Sequence, residues 1–406
     1  MRSAIVVVGA GQAGLQAAES LRAEGYEGRL LLVGDEATAP YHRPPLSKSY
    51  LLGETDEAQI VIRGPAALAR KGIELLRDTR VTAIDRIARS IALSDGRTIA
   101  YRGIVIATGA RPRPLPLPGA NLAGVFDLRT LADARAVAAA LAAAEHLVVI
   151  GGGFIGLEFA AVARQRGRHV TVLQAAARLM PRVVAAPISD FYAALHAGHG
   201  ARVVLDAQVA EIVGAEGRAV AVRTADGTEY PADMVVAGIG IVPNTELASA
   251  CGLACQNGIV VDACSRSSDP AIAAAGDCTV QRTAEGGWVR LESVQNAVEQ
   301  AKSAAAALLG RERPFTASPW FWSDQYEVKL QMVGRSSGYD EVVTRGAVEG
   351  RSFSAFYFRQ GRLLAIDSIN QPGAHMLGRK LLDRAARPTP AQAADPGFAL
   401  ESLLPA

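Results

Sequence analysis

Cysteine is scarce in this chain: four in 406 residues, at 251, 255, 264 and 278, with no Cys-x-x-Cys. The scarcity excludes a disulfide framework and a dithiol redox motif, and it points to a reducing, cytoplasmic setting. Long apolar runs are missing too. The richest stretch, about residues 136–155, is broken by Glu145 and His146 and then by glycines, so it reads as a helix and a strand and no membrane span is expected. Charge of one sign is absent as well, since 42 Lys and Arg against 40 Asp and Glu leave a formal net charge of +2. No Lys/Arg run stands out, so nucleic-acid binding is not expected, and only local patches remain for electrostatic docking. Arg2 follows the first Met and an apolar strand begins almost at once, which predicts no secretory leader.

What the chain does contain is one design written twice. Residues 5–8 are a β-branched run that ends in Gly9, Gly11 and Gly14, and a helix-favouring segment follows. Gly9 permits the tight turn, Gly11 lets backbone approach a pyrophosphate, and Gly14 lets helix and strand pack closely. Phosphate then meets the unpaired N–H groups of the helix start. Asp35 closes the second strand, 30–33, where an acid would hold a ribose. A meander is predicted at 81–85, 90–93 and 98–101, turning at Asp95-Gly96, and a buried strand at 104–107 runs into Thr108-Gly109. The proline-rich stretch 111–118 marks a boundary.

The plan then returns. Helix 127–144 and strand 147–150 lead into Gly151, Gly153 and Gly156, a second helix, and strand 169–173 ending at Gln174. A second meander follows at 203–205, 209–213 and 220–223, and strand 234–237 ends at Gly238. An offset of roughly 140 residues implies duplicated domains and not a solenoid. Two such domains suggest two dinucleotides held facing each other. Residues 271–275 run into Gly276-Asp277, a strand end suited to setting a carboxylate beside a cofactor hydroxyl, and helix 294–309 follows. Beyond Trp320, alternation at 331–334, 351–358 and 363–369 predicts a small antiparallel sheet with a closing helix, 375–386. The fold class is α/β: two Rossmann-like three-layer dinucleotide-binding domains plus a small α+β C-terminal domain. Residues 1–112 and 242–318 would form the first domain, 113–241 the second and 319–406 the third.

Several stretches resemble the ferredoxin reductases of bacterial oxygenase systems, flavoproteins of the glutathione-reductase structural class. They are Arg43-Pro-Pro-Leu-Ser-Lys48, Ile106-Ala-Thr-Gly-Ala-Arg-Pro112, Leu128-Arg-Thr130, the turn from Gly151 to Glu158, Ala275-Gly-Asp-Cys278, Glu292-Ser-Val-Gln-Asn-Ala297 and Pro319-Trp-Phe-Trp-Ser-Asp-Gln325. The resemblance implies FAD as cofactor, with the first glycine turn and Asp35 on its adenosine half. Arg43, Lys48, Val81, Thr108, Gly109, Arg129, Asp277 and Val294 would line the rest of it. Lys48 and Glu158 would form an ion pair near flavin N5, and Trp322 would cover part of the ring. The second glycine turn, with Gln174 and Gly238, would bind NADH. Family members usually carry an acid where Gln174 stands, and an amide no longer repels a 2′-phosphate, so some NADPH activity is expected.

The implied partner is an acidic two-iron two-sulfur ferredoxin feeding a haem monooxygenase or Rieske oxygenase, met by a monomer or weak dimer. Lys302, Arg311, Arg313, Lys329, Arg379 and Lys380 are candidates for a basic docking face, or simply solvated charges. Related single-cysteine reductases carry their thiol in the loop after the second strand; here that loop, 41–48, has none. Cys251 and Cys255 would share a helix face, but no further ligands cluster with them, so no metal site is expected. Lys48 and Glu158 also admit a plain reading as solvated charges at helix starts. Rivals within the same fold are a rubredoxin reductase and an NADH oxidase. From another class comes a binding protein like apoptosis-inducing factor.

Overall fold

The computed structural model describes residues 3–283 and 286–405. They form two compact units, each assembled from separate segments. The first takes the residues up to His42, then Glu57–Arg111 and Ile241–Ala317. The second takes Arg43–Asp56, Pro112–Gly240 and everything from Ser318 onward.

The first unit is built on a parallel sheet in the order Ile73–Leu76, Leu30–Val33, Ala4–Val8, Thr98–Ile106, with Ile272–Ala274 added beside Thr98–Ile106. Runs such as Ile-Val-Val-Val and Leu-Leu-Leu-Val suit strands whose two faces are both covered. One face packs on helices Gln12–Ala23 and Val294–Leu308, where Ala17, Ala18, Ala301 and Ala304 are all fully buried. The other face meets Ile84, Ile91 and Ile99 of the antiparallel strands. Where the sequence suggested two strands, 98–101 and 104–107, there is one, Thr98–Ile106. It runs antiparallel to Ser90–Leu93 at its start and parallel to Ala4–Val8 beyond. Gly103 makes no turn and sits against Leu308; the pairing only shifts register there, Ala4 opposite Tyr101 and Ile5 opposite Gly103, and the strand continues.

In the second unit five parallel strands stand in the order Arg202–Val204, His169–Leu173, His146–Ile150, Met234–Ala237, Val125–Phe126. The segment expected to open the second meander therefore belongs to this sheet, paired with Thr171–Leu173; a short apolar run does not itself say which neighbour it joins. The meander proper is Val209–Ala215, Arg218–Thr224 and Glu229–Pro231. Helix Leu131–Ala143 starts four residues later than expected, because Thr130 and Asp133 form a capping box that fixes its N-terminus. The C-terminal sheet has five antiparallel strands, ordered Trp320–Gln325, Val328–Gly334, Arg362–Ile369, Ser352–Arg359, Glu341–Ala347. Helix Pro372–Asp383 packs on it through Leu381 and Leu377.

Candidate functional site

In the first unit the glycine turn is shaped for a phosphate. Gly9 has φ +106°, and a Cβ there would meet the Ala107 carbonyl oxygen at 2.2 Å. At Gly14 a Cβ would lie 1.7 Å from the Gly9 carbonyl oxygen, so helix and strand touch backbone to backbone. Gly11 is different: nothing lies within 4 Å of its missing Cβ. It is the N-cap of helix Gln12–Ala23 and has no side-chain cap, which leaves that helix start to an outside anion. A pyrophosphate fits this cradle, and FAD with it.

Other contacts expected for this cofactor, Asp35, Val81, Thr108, Gly109, Asp277 and Val294, lie in the same unit. Asp35 is half-exposed and pairs with Arg80 at 3.1 Å. Val81, which begins a strand, is buried. Thr108 and Gly109 are stitched to Asn244: the Thr108 hydroxyl donates to its carbonyl at 2.7 Å, its amide donates back to the Thr108 carbonyl at 2.9 Å, and its N–H donates to Gly109 at 2.9 Å. Asp277 follows Gly276, whose φ of +86° packs the chain against Ala13 and Ala297. Val294 opens helix Val294–Leu308 one residue after its Ser293 N-cap. Inside that helix Asn296 is fully buried, and its Oδ1 has no partner among the described residues.

The second unit repeats the cradle. Gly151 has φ +105° and faces the Gly238 carbonyl; a Cβ on Gly156 would meet the Gly151 carbonyl at 2.3 Å, while Gly153 caps helix Phe154–Gln165 with only Gly238 near. Gln174 is engaged at both ends of its amide: Oε1 accepts from the Gly152 N–H at 2.9 Å and Nε2 donates to the Arg178 carbonyl at 3.2 Å. Arg178 turns inward, donating to the Val184 and Pro181 carbonyls and to Ser189.

Lys48 and Glu158 meet in the same unit at 2.6 Å, with the side chains 17 % and 2 % exposed. The Glu158 carboxylate also accepts from Ser47 at 2.5 Å and Ser323 at 2.7 Å. Burial pushes its carboxyl above the ordinary range, and Lys48 and the two hydroxyls pull against that. A plain solvated pair is thereby excluded. Arg43 donates to the Arg129 carbonyl at 2.9 Å. Trp322 is half-buried, 5.7 Å from the Trp320 ring. Ser47 and Ser323 lay inside motifs already singled out, yet nothing about a serine marked them as donors to a buried carboxylate.

The remaining candidates resolve more plainly. Cys251 is the C-cap of helix Glu246–Ala250 and Cys255 lies beyond it, so they do not share a helix face. Cys278 is fully buried and its thiol is pushed up to about 11. Among the described residues no cluster of His, Cys, Asp and Glu could hold a metal, and no helix is long and apolar enough to cross a membrane. Of the basic candidates, Lys302 pairs with Glu299, Arg311 and Arg313 with Glu24, and Lys329 with Asp324, while Arg379 lies over the Trp320 ring at 5.5 Å.

Two such cradles match a family already described. The model of the pyridine nucleotide-disulphide oxidoreductases covers residues 3–301, and that of the reductase C-terminal domain covers residues 320–404. The chain belongs to the pyridine nucleotide-disulphide oxidoreductase family. Its relatives within the family include ferredoxin reductases. Rhodocoxin reductase of Rhodococcus erythropolis is 47 % identical over 98 % of this chain and 93 % of its own length. Putidaredoxin reductase of Pseudomonas putida is 47 % identical over 91 % and 89 %. The structure of a covalent putidaredoxin reductase–putidaredoxin complex superposes with a TM-score of 0.95 at 44 % identity, over 99 % of this chain and 98 % of that one. This ferredoxin reductase accordingly uses FAD and a nicotinamide dinucleotide, NADH or NADPH.

Proposed function

We propose that the protein passes electrons from NADH through FAD to an acidic two-iron two-sulfur ferredoxin, which feeds a haem monooxygenase or Rieske oxygenase. Bound FAD supplies a centre that takes electrons in pairs and releases them singly. The first glycine turn, Asp35 and Asp277 bind and orient it, with Val81, Thr108, Gly109 and Val294 alongside; Arg43, Arg129 and Trp322 are further contacts in this reading. Lys48, steadied by Glu158, would supply positive charge to the flavin and so favour its reduction. Gly151, Gly153, Gly156, Gln174 and Gly238 seat the nicotinamide dinucleotide.

The observation that carries the reading is the buried Lys48–Glu158 pair at the end of a loop, 41–48, that holds no thiol. A dithiol or single-thiol reductase needs a reactive thiolate, and burial raises Cys251, Cys255 and Cys278 away from that state. An acceptor of single electrons fits, and the complex with putidaredoxin shows a relative of this chain joined to one. All four cysteines are free, in keeping with work in the cytoplasm.

NADH is favoured because the Arg178 guanidinium already donates to the Val184 and Pro181 carbonyls and to Ser189, which draws it away from a 2′-phosphate. Gln174 carries no charge to repel one, so NADPH activity is low but measurable. Gln174→Glu should lower kcat/KM for NADPH about tenfold relative to NADH. An unchanged ratio in stopped-flow reduction by the two donors would contradict this account of selectivity.

A further inference from the structure

A run of hydrogen bonds leads away from Glu158 through the second unit. Ser323 Oγ donates to Glu158 Oε1 at 2.7 Å, and Gln325 Nε2 donates to Ser323 Oγ at 3.2 Å. His196 Nε2 stands 2.9 Å from Gln325 Oε1. The Tyr326 hydroxyl lies 3.4 Å from His196 Nδ1, long for a hydrogen bond but aimed at that nitrogen. Ser323 and Gln325 are two apart on strand Trp320–Gln325, so the pleat turns both to one face. Glu158, Ser323, Gln325 and His196 are each no more than 2 % exposed.

The chemistry of these groups gives the run a direction. An amide oxygen only accepts, so His196 carries its proton on Nε2. Burial drives the imidazole down to about 4, which leaves the ring neutral and Nδ1 bare at neutral pH. Only a donor, the Tyr326 hydroxyl, then suits Nδ1. With its oxygen taken by His196, Gln325 presents its NH₂ to Ser323. The serine hydroxyl, receiving that N–H, has its own hydrogen left for Glu158. Tyr326 holds φ +53° in the hairpin turn, a conformation glycine or asparagine takes more cheaply, and its ring stacks on His199 at 3.8 Å and 6°. Charged and titratable neighbours are His199 at the C-cap of helix Ala186–Gly198, with Glu327 3.2 Å from it and Arg351 and Arg164 acting on it, and, towards Glu158, Lys48 and the Tyr192 phenol with Asp324 and Asp367.

We propose that His196 is a positioning residue for Glu158: it locks Gln325 and Ser323 so that every hydrogen in the run points at the carboxylate, holding it charged opposite Lys48. The inference rests on the reading of Lys48 and Glu158 as the pair beside the flavin. His196, Ser323, Gln325 and Tyr326 all lie far from the glycine turns in sequence, and His196 belongs to no motif.

Holoprotein labelled with ¹⁵N-histidine tests the tautomer directly. His196 should show one protonated Nε2 and one bare Nδ1, unchanged from about pH 5.5 to about pH 9. A proton on Nδ1, or titration near pH 6.5, overturns the proposal even if no variant folds. The second readout is the acid limb of flavin reduction by NADH, where Ser323→Ala should move the limb up by about one pH unit. His196→Phe and Gln325→Leu should move it the same way, His196→Gln should restore it, and His196→Phe added to Ser323→Ala should move it no further. A limb that stays put in His196→Phe, or shifts again on top of Ser323→Ala, overturns the positioning role. If Glu158→Gln itself leaves reduction unchanged, it is the reading of the pair that fails.

Discussion

Lys48 and Glu158 set the chemistry by what each does to the other. A carboxylate this deeply buried is costly unless paired, and Lys48 with two hydroxyls supplies the pairing. Lys48→Ala should slow flavin reduction by NADH roughly ten- to a hundredfold in stopped-flow traces. It should also lower stability by about 3 kcal/mol, since Glu158 stays buried without its counter-ion. Unchanged rates would remove Lys48 from the site. The sequence reveals the pair only through motifs that surround it, because a lysine and a glutamate 110 positions apart carry no mark of contact. Ser47 and Ser323 illustrate the limit: the motifs were visible, but the donors inside them depend on a burial that only the folded chain creates.

At the scale of elements, the glycine turns separate folding from binding. Gly14→Ala would drive a Cβ into the Gly9 carbonyl and should abolish folding or FAD retention. Gly11→Ala meets open space, so its apo form should melt with the parent while FAD retention falls, and absorbance of the purified protein reads this directly. Equal FAD content in Gly11→Ala and the parent would show that the pyrophosphate does not approach there. The C-terminal sheet hides another coupling. Asp367 is fully buried, bonded by the Tyr357 hydroxyl, which in turn accepts from the Ala185 N–H at 2.9 Å. Burial raises the Asp367 carboxyl to about 7. A folded state that binds its proton more tightly than the unfolded chain is stabilised at low pH, and that gain is lost as pH rises from about 4 to about 7. Asp367→Asn should flatten this part of the Tm-against-pH curve; a difference from the parent that is independent of pH would contradict the assignment. Elements with a strong local signal, such as the two glycine turns, were legible in advance. Strand Glu341–Ala347 was not, because it is a largely exposed edge without apolar alternation.

For the whole molecule, the duplicated plan was readable because each copy carries its own punctuation of glycines. The acceptor was not, since docking depends on a surface spread over distant segments. Several basic candidates are already paired with acids, which leaves the Trp320–Arg379 neighbourhood and Lys380 as the more available positive charge on the C-terminal domain. Electrostatic docking predicts that cytochrome c reduction through a ferredoxin weakens as salt rises, while reduction of a small dye by NADH does not. Equal rates at low and high salt would argue against it. Fast oxygen consumption without a carrier would favour an NADH oxidase instead. The most direct test is an anaerobic titration. The purified yellow protein should be bleached by about one equivalent of NADH and should regain its colour when oxidised two-iron two-sulfur ferredoxin is added. A colourless protein, or a yellow one that NADH leaves unbleached, would contradict the account.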